Sequence, residues 1–488
     1  MAATLVKTTP KPKVPIWTKL AYGFGSVAYG VKDGGLKYFL LLFYAQVVGM
    51  DPRLVSLAIF IALISDAVSD PIVGYWSDNF RSKWGRRHPF MYATAAPVAF
   101  SYYFIWNPPE GWSDQQLFWY IVVLAVVIRT FITVYETPSA ALAPELTDDY
   151  DERSSILSFR YFFGWFGGNA MTVILFTLIF PAFVTAAIVN GQFNPDAYAF
   201  FGLVGSSIMF VAIMISALGT HGHIPHLRKA PPKRKMTLGK IFREIFDTVA
   251  SRSFFALFSA SLLGYTASGL AAGLTFYFTT YYWGFTPEQI GAITFGVFFS
   301  AFIGGSLAPY VTKKIGKKKG AIIVGLIAFI GSPMPIFLRL IDVLPENGTP
   351  EIFWIVLITN TIDVGLIVCY QILAASMMAD LVEQGEVKTG NRSEGLFFAA
   401  ATFMRKFGEG FGIVVAGFVL SAVGLAAGSQ QGEVSDETLW QLGAVYVPVI
   451  LGIWLTMITI IGLYRIDRAK HEETLRELAG RKDVAKAE

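Results

Sequence analysis

The chain has 488 residues, of which 54% are hydrophobic and 15% are charged, and its formal net charge is +4. Soluble domains carry roughly 25% charged residues, so this composition excludes an ordinary soluble protein and favours one that crosses a membrane many times. One cysteine and five scattered histidines also exclude a disulfide framework and a Cys/His metal cluster.

Twelve apolar segments follow a polar, proline-rich start. Residues 1–17 lack the apolar core of a signal peptide, so we expect a cytoplasmic tail there. A spanning helix needs about 20 mostly apolar residues. The segments that meet this requirement are residues 18–48, 53–77, 90–107, 116–141, 158–188, 198–219, 253–283, 287–312, 320–341, 350–378, 395–427 and 438–465. The sequence therefore predicts an all-α membrane protein with twelve transmembrane helices.

Lysine and arginine are concentrated in alternate connections, which predicts the orientation. The basic set consists of both tails and the connections 79–89, 220–252 and 313–319. The connections between them are almost free of Lys and Arg; for example, neither occurs between Ser253 and Thr312. Because cytoplasmic loops carry the positive excess, we expect both termini and the 220–252 loop to be cytoplasmic, in a plasma (bacterial inner) membrane.

The longest internal polar segment divides the spans into six and six. We expect bundles at residues 18–219 and 253–465, joined by a middle loop at 220–252 and followed by a C-tail at 466–488. This organisation is typical of the major facilitator fold, in which two six-helix bundles move around a site near the middle of the membrane.

Charged residues inside the spans indicate where that site lies, because they are costly in lipid and usually face a cavity. In chain order they are Lys32, Asp33, Lys37, Asp66, Asp70, Arg129, Glu136, Arg160, Asp363, Arg405, Lys406 and Glu409. Asp66 and Asp70 lie four residues apart and so share one helix face. Two carboxylates without a cation repel each other, and a lysine, Na⁺ or H⁺ would relieve that repulsion.

Other interpretations of these charges remain open from the residues alone. Asp70 precedes Pro71 and could cap a helix kink, and Glu136 precedes a Thr-Pro pair in the same way. For Arg129, pairing with a carboxylate and contact with a substrate are equally favoured. No partner can be named from the sequence for Asp363.

The connection after the second span predicts a cytoplasmic charge network. Asp78 lies close in sequence to Arg81, Arg86 and Arg87, and the lysine-rich connection 313–319 occupies the equivalent place in the second half. These residues could form a gate at the cytoplasmic face. The alternative is that they only anchor the helices by the positive-inside rule.

Five stretches resemble the glycoside–pentoside–hexuronide:cation symporter family of the major facilitator superfamily, and the resemblance covers all twelve spans. They are KLAYGFG (Lys19–Gly25), the stretch Asp66–Phe90 that opens with DAVSDPIVGYWSD, TVYETP with the following Leu142–Arg160, ADLVEQGEVKTGNRSEG (Ala379–Gly395), and FMRKFGEG (Phe403–Gly410).

The resemblance implies a cation site and a substrate site. In the cation site, Asp66 and Asp70 take the places of the carboxylates, Thr133 and Lys406 match two further positions, and Ser69 stands where the best-known member has Asn. In the substrate site, Glu136 and Arg160 match sugar-contacting positions.

The substrate site also departs from the family. Gly30 replaces a sugar-binding Asp, and the nearest acid, Asp33, is about one helical turn further on, after Lys32. Ala140 replaces a stacking Trp. A galactoside is therefore not implied.

The resemblance implies symport of a sugar, glycoside or uronide with Na⁺ or H⁺ as the coupling ion and no other cofactor or metal. One alternative is transport of a lysolipid or other amphiphilic organic anion, and another is a non-transporting sensor or receptor. We expect no enzyme, because no catalytic constellation or nucleotide loop occurs. The expected partners are a small solute, such as a saccharide, and membrane lipid; we expect no nucleic acid and a monomeric protein.

Overall fold

The computed structural model describes residues 14–147, 149–227, 252–389 and 394–462, and within them the chain is helical. The first half contains α1 (Ile16–Phe24, Val27–Gly34, Gly35–Phe39, Leu40–Leu42 and Phe43–Val47), α2 (Pro52–Asn79), α3 (His88–Ile105), α4 (Asp114–Leu146), α5 (Tyr150–Ile174, Leu175–Ile179 and Phe180–Ala182) and α6 (Pro195–His221). The second half contains α7 (Arg252–Tyr277 and Phe278–Tyr282), α8 (Pro287–Ile315), α9 (Lys317–Gly331 and Met334–Leu340), α10 (Pro350–Thr389), α11 (Glu394–Ala422) and α12 (Asp436–Ile461).

These helices correspond to the twelve predicted segments. Nine of them, within the described ranges, are long and apolar enough to cross a membrane. The other three are α1, which is broken into short pieces, α3, and α11, which carries Arg405, Lys406 and Glu409. The predicted C-tail, and most of the predicted N-tail and middle loop, lie outside the described residues.

Two π-helical turns make α1 irregular where it passes the centre of the protein. The first covers Gly35–Phe39 and the second covers Phe43–Val47. Its symmetry counterpart α7 ends in a similar turn, Phe278–Tyr282. A π turn adds a residue to the helical turn and rotates the following side chains, and such turns are frequent at functional sites. The first of these turns contains Lys37, which reaches across to the second half.

The two halves meet through three helix pairs: α2 with α11, α5 with α8, and α1 with α7. The pairing is reciprocal. The second helix of one half packs against the fifth helix of the other, and the first helices meet each other. This arrangement is what an approximate two-fold relation between six-helix halves produces.

One end of the bundle, which we call the middle-loop face, carries the ends of α2, α4 and α6; the other end is the opposite face. The halves are in close contact towards the opposite face. Phe39 of α1 stacks on Phe276 of α7 with ring centroids 4.5 Å apart, and Phe176 of α5 lies 4.9 Å from the same ring. The Gly428 amide also donates to the Ala45 carbonyl at 2.9 Å. The opposite face is therefore closed between the two halves.

Candidate functional site

Asp66 and Asp70 of α2 face the same neighbours, as their four-residue spacing predicts. The Thr133 hydroxyl of α4 lies 2.8 Å from an Asp66 oxygen and 3.0 Å from an Asp70 oxygen. The Lys406 ammonium of α11 lies 2.9 Å from Asp66 and 2.7 Å from Asp70. One hydroxyl and one ammonium thus bridge both carboxylates, and the ammonium comes from the other half of the chain.

The two carboxylates differ in their exposure and in their number of cations. Asp66 is only 3% exposed and also pairs with Arg129, whose nitrogen lies 3.3 Å away. The Asp70 side chain is 29% exposed and pairs with Lys406. The carboxylate of Asp70 is bound by side chains of α4 and α11, while α2 continues through Pro71 to Asn79. Asp70 therefore binds across the helices instead of capping a kink.

Arg129 belongs to this cluster, although the sequence left its role open. It stands four residues before Thr133 on α4, so both side chains leave the same helix face. This four-residue spacing from Thr133 is the sequence signal that could have placed Arg129 in the cluster. Ser69 has a different environment, because its hydroxyl donates to the Asp66 backbone carbonyl at 3.1 Å. In this structure the Ser69 side chain is thus engaged by its own helix.

A second cluster joins α4, α5 and α1 around Arg160. The buried Arg160 guanidinium donates to the Ser139 hydroxyl at 3.0 Å and lies 3.8 Å from the Glu136 carboxylate. It also lies over the Tyr29 ring, 5.4 Å from the centroid. The Glu136 side chain is 41% exposed, and Ala140, one turn further along α4, is exposed as well. Glu136 and Ala140 are therefore accessible on α4, with Arg160 buried behind Glu136.

The α1 residues assigned to the substrate site have different surroundings. Lys32 is buried and pairs with Asp33 at 2.6 Å, whereas the Asp33 side chain is 51% exposed. Gly30 is buried against Gly164 and Gly168 of α5. This packing makes Gly30 a contact between α1 and α5, and its role in the substrate site stays a prediction. Of these α1 residues, Asp33 has the exposed side chain.

Glu409 of α11 links the two halves through an ion pair with α1. Its carboxylate lies 3.2 Å from the Lys37 ammonium of α1 and 3.9 Å from the Arg405 guanidinium one turn earlier on α11. The Arg405 side chain is 44% exposed. Asp363 is elsewhere, on α10 against Gly331 of α9, and is not part of these clusters.

A charge network forms at the middle-loop face, and it includes Glu145, which the sequence did not assign. Asp78 pairs with Arg87 at 2.6 Å, and not with Arg81 or Arg86. Arg86 and Arg87 both reach Glu145 at the end of α4, at 2.6 and 3.2 Å. Glu145 was missed from the sequence because it lies 59 and 58 residues from these arginines. Arg81 is exposed, and no ion pair joins it to a described residue.

The second half repeats this arrangement. Lys317, at the start of α9, pairs with Asp380 of α10 at 2.7 Å. In the first half, the arginines just before α3 pair with Glu145 of α4, so equivalent helices are tied at equivalent places. The predicted correspondence between the two basic connections is therefore reflected in their contacts.

The cluster around Asp66 and Asp70 offers chemistry suited to a small cation rather than to a transition metal. Among the described residues, no group of three or more His, Cys, Asp or Glu side chains could hold a metal ion. Two carboxylates and a hydroxyl provide oxygen ligands of the type that Na⁺ prefers, and either carboxylate could accept a proton. An entering cation would compete with the Lys406 ammonium.

The chain matches a known family and several transporters over nearly its whole length. Residues 21–468 match the family model described as MFS/sugar transport protein. The isoprimeverose transporter of Lactiplantibacillus pentosus is 24% identical, over 94% of this chain and 90% of its own length. The sodium-dependent lysophosphatidylcholine symporter 1 of Gallus gallus is also 24% identical, over 96% and 90%.

A solved structure supports the fold. The D-xylose-proton symporter superimposes with a TM-score of 0.56 at 15% identity, covering 90% of this chain and 97% of that one. At this identity the likeness concerns the fold alone. Together with the family model, it confirms the expected all-α architecture of the major facilitator superfamily.

Proposed function

We propose, on the premise that this chain belongs to the MFS/sugar transport protein family, that it couples cation entry to symport of a sugar, glycoside or uronide. The protein is a transporter by family and by relatives, which sets aside the alternative of a sensor and points away from an enzyme. The observation that carries the proposal is that Lys406 of one half binds Asp66 and Asp70 of the other.

Coupling would use the competition at this carboxylate pair. Without a coupling ion, the Lys406 ammonium neutralises Asp66 and Asp70 and ties α11 to α2. A Na⁺ ion or a proton at the carboxylates would weaken that tie and change the relative free energies of the two orientations of the halves. By linkage, a substrate that binds better to the cation-loaded state must tighten cation binding by the same factor.

The substrate would lie between the halves, against Glu136, Arg160 and Asp33. Two exposed carboxylates can accept hydrogen bonds from sugar hydroxyls, and the buried arginine holds Glu136 in place. Lys32 would hold Asp33 in the same way. Ala140 leaves space beside Glu136 where a larger side chain would exclude part of a substrate.

We also propose that the middle-loop face is cytoplasmic, with both termini on that side of a bacterial inner membrane. The alternating positive charge of the connections supports this orientation. The closed opposite face would then make the structure an inward-facing state. Asp78, Arg86, Arg87 and Glu145 would act at the cytoplasmic gate, and the protein would work as a monomer.

A lysolipid or other amphiphilic organic anion is the second candidate substrate. The similarity to the lysophosphatidylcholine symporter of Gallus gallus favours it. Thermal shift of the purified protein with lysophosphatidylcholine and with a sugar panel separates the two. A response to the amphiphile without a response to any sugar would favour the second candidate.

Uptake into proteoliposomes tests the coupling. A panel of labelled sugars and uronides is offered under an inward Na⁺ gradient and, separately, an inward proton gradient. We expect one gradient to drive accumulation by the wild-type protein and neither to do so for Asp66→Asn or Asp70→Asn. The matched control is Asp342→Asn, which changes an exposed carboxylate on the opposite face.

The result that contradicts the proposal is equal accumulation by the wild-type and the two site variants. Solute counterflow without a gradient shows that each variant still binds and moves substrate. Loss of accumulation with retained counterflow would locate the defect in coupling.

A further inference from the structure

The described charges between the halves do not balance. Seven ion pairs connect the charged side chains of α1, α2, α4, α5 and α11 into clusters. The cations are Lys32, Lys37, Arg129, Arg160, Arg405 and Lys406, and the carboxylates are Asp33, Asp66, Asp70, Glu136 and Glu409. There is one more cation than carboxylate, and a bound coupling ion would add a further positive charge. A neutral substrate would leave this excess uncompensated in a site of low dielectric constant.

Arg405 is the cation whose charge is least compensated. Its nearest carboxylate, Glu409, is 3.9 Å away and is shared with Lys37, which lies closer at 3.2 Å. Arg129, Lys32 and Lys406 each have a carboxylate within 3.3 Å. Arg160 has a distant carboxylate as well, but its guanidinium is buried and donates to Ser139 at 3.0 Å. The Arg405 side chain is 44% exposed.

The exposed guanidinium lies on the face of α11 that meets the first half. Arg405 lies one turn before Glu409, so both leave the face of α11 that meets α1. Phe411 and Phe418 are exposed on another face of the same helix, as expected for lipid contact. Glu136 and Asp33 are within electrostatic range of Arg405. The Arg405 guanidinium is therefore a donor near two carboxylate acceptors of the first half.

We propose that Arg405 binds the anionic group of the substrate and that this substrate is a polyol bearing a carboxylate, that is, a sugar acid. An arginine fork matches a carboxylate with two parallel hydrogen bonds. Glu136 and Asp33 would accept hydrogen bonds from the hydroxyl groups of the same molecule. The inference rests on the proposed transport function and adds to it a preference for an anionic over a neutral solute.

Matched pairs of solutes test the charge preference. The probes are galacturonate and galactose, glucuronate and glucose, and xylonate and xylose, offered to full-length protein in proteoliposomes under the gradient that drives uptake. We expect accumulation of at least one acid, with no accumulation of its neutral partner.

Variants at Arg405 test the residue. Arg405→Gln should weaken the apparent affinity for the acid about tenfold or more, because a charge-assisted hydrogen bond is lost. Arg405→Lys should recover part of it, since it retains the charge but not the fork. The control is Arg53→Gln, an exposed arginine on the opposite face, which should leave affinity unchanged. Size-exclusion and thermal unfolding confirm that the variants are folded.

Two results would overturn the inference. One is accumulation of a neutral sugar without accumulation of the acids, which would leave cation coupling intact. The other is an unchanged acid-to-neutral preference in Arg405→Gln. Uptake of the acid that depends on Arg405 but on neither the Na⁺ nor the proton gradient would instead support the anion site. It would contradict the proposed coupling.

Discussion

Asp66 and Asp70 lie one helical turn apart on α2, but they differ in burial and in their ion-pair partners. Asp66 is almost fully buried between Arg129 and Lys406, whereas Asp70 is partly exposed and meets Lys406. A buried charge is stable only while its partners are present, because removing one partner leaves an unpaired ion in low dielectric. Asp66 therefore has the greater structural role, and Asp70 is the more accessible carboxylate for an entering cation.

This difference predicts unequal effects on stability. Asp66→Asn leaves Arg129 without an ion-pair partner among the described residues and should lower the free energy of unfolding by about 3–5 kcal/mol. Asp70→Asn should cost less, since Lys406 keeps its contact with Asp66. Unfolding of the purified variants in detergent, with Asp342→Asn as control, measures both values. Equal destabilisation by the two substitutions would refute this account of the site.

At the scale of single helices, α1 positions the site by packing closely against α5. Gly30 of α1 meets the backbone of Gly164 and Gly168 on α5, so the two helices approach without intervening side chains. Small residues at helix contacts are the usual means of such an approach in membranes. This contact fixes the part of α1 that presents Lys32 and Asp33.

A methyl group at Gly30 should therefore disturb the protein. An added Cβ would collide with the Gly164 carbonyl, which is backbone and cannot move away cheaply. We expect Gly30→Ala to lower the free energy of unfolding by about 1–3 kcal/mol, as overpacking does elsewhere. Gly305→Ala is the control, because open space surrounds that position in α8. Similar unfolding temperatures for the two variants would show that the α1–α5 contact tolerates extra volume.

At the scale of the whole molecule, the loops of the opposite face bind the two halves together. The Asn190 amide, between α5 and α6, donates to the side-chain carbonyl of Gln431, between α11 and α12, at 2.7 Å. Thr280 of α7 donates to Gln192 at 3.0 Å. Alternating access requires these contacts to break when the cavity opens to that face.

A cross-link between these loops should therefore stop transport. Cysteines at Asn190 and Gln431, in a Cys369→Ser background that removes the one native thiol, would be joined by a short bifunctional thiosulfonate reagent. We expect uptake to fall to background and to return on reduction, because the halves cannot separate while linked. Each single cysteine variant is treated as a control. Full uptake by the cross-linked protein would contradict the requirement that these loops separate during transport.

The sequence by itself determined the class of protein and much of the site. Twelve apolar segments, alternating basic connections and the spacing of Asp66 and Asp70 depend on local composition and helical periodicity, which can be read along one chain. Family motifs added Thr133 and Lys406, and the structure places both against the two aspartates.

Only the tertiary structure decided which charges meet. Arg129 pairs with Asp66 across 63 residues, and Lys406 reaches Asp70 across 336. Arg86 pairs with Glu145 and not with Asp78, and Gly30 lies at the contact between α1 and α5. These outcomes depend on how helices cross and rotate against each other, and a pattern local to one helix contains no information about its neighbour.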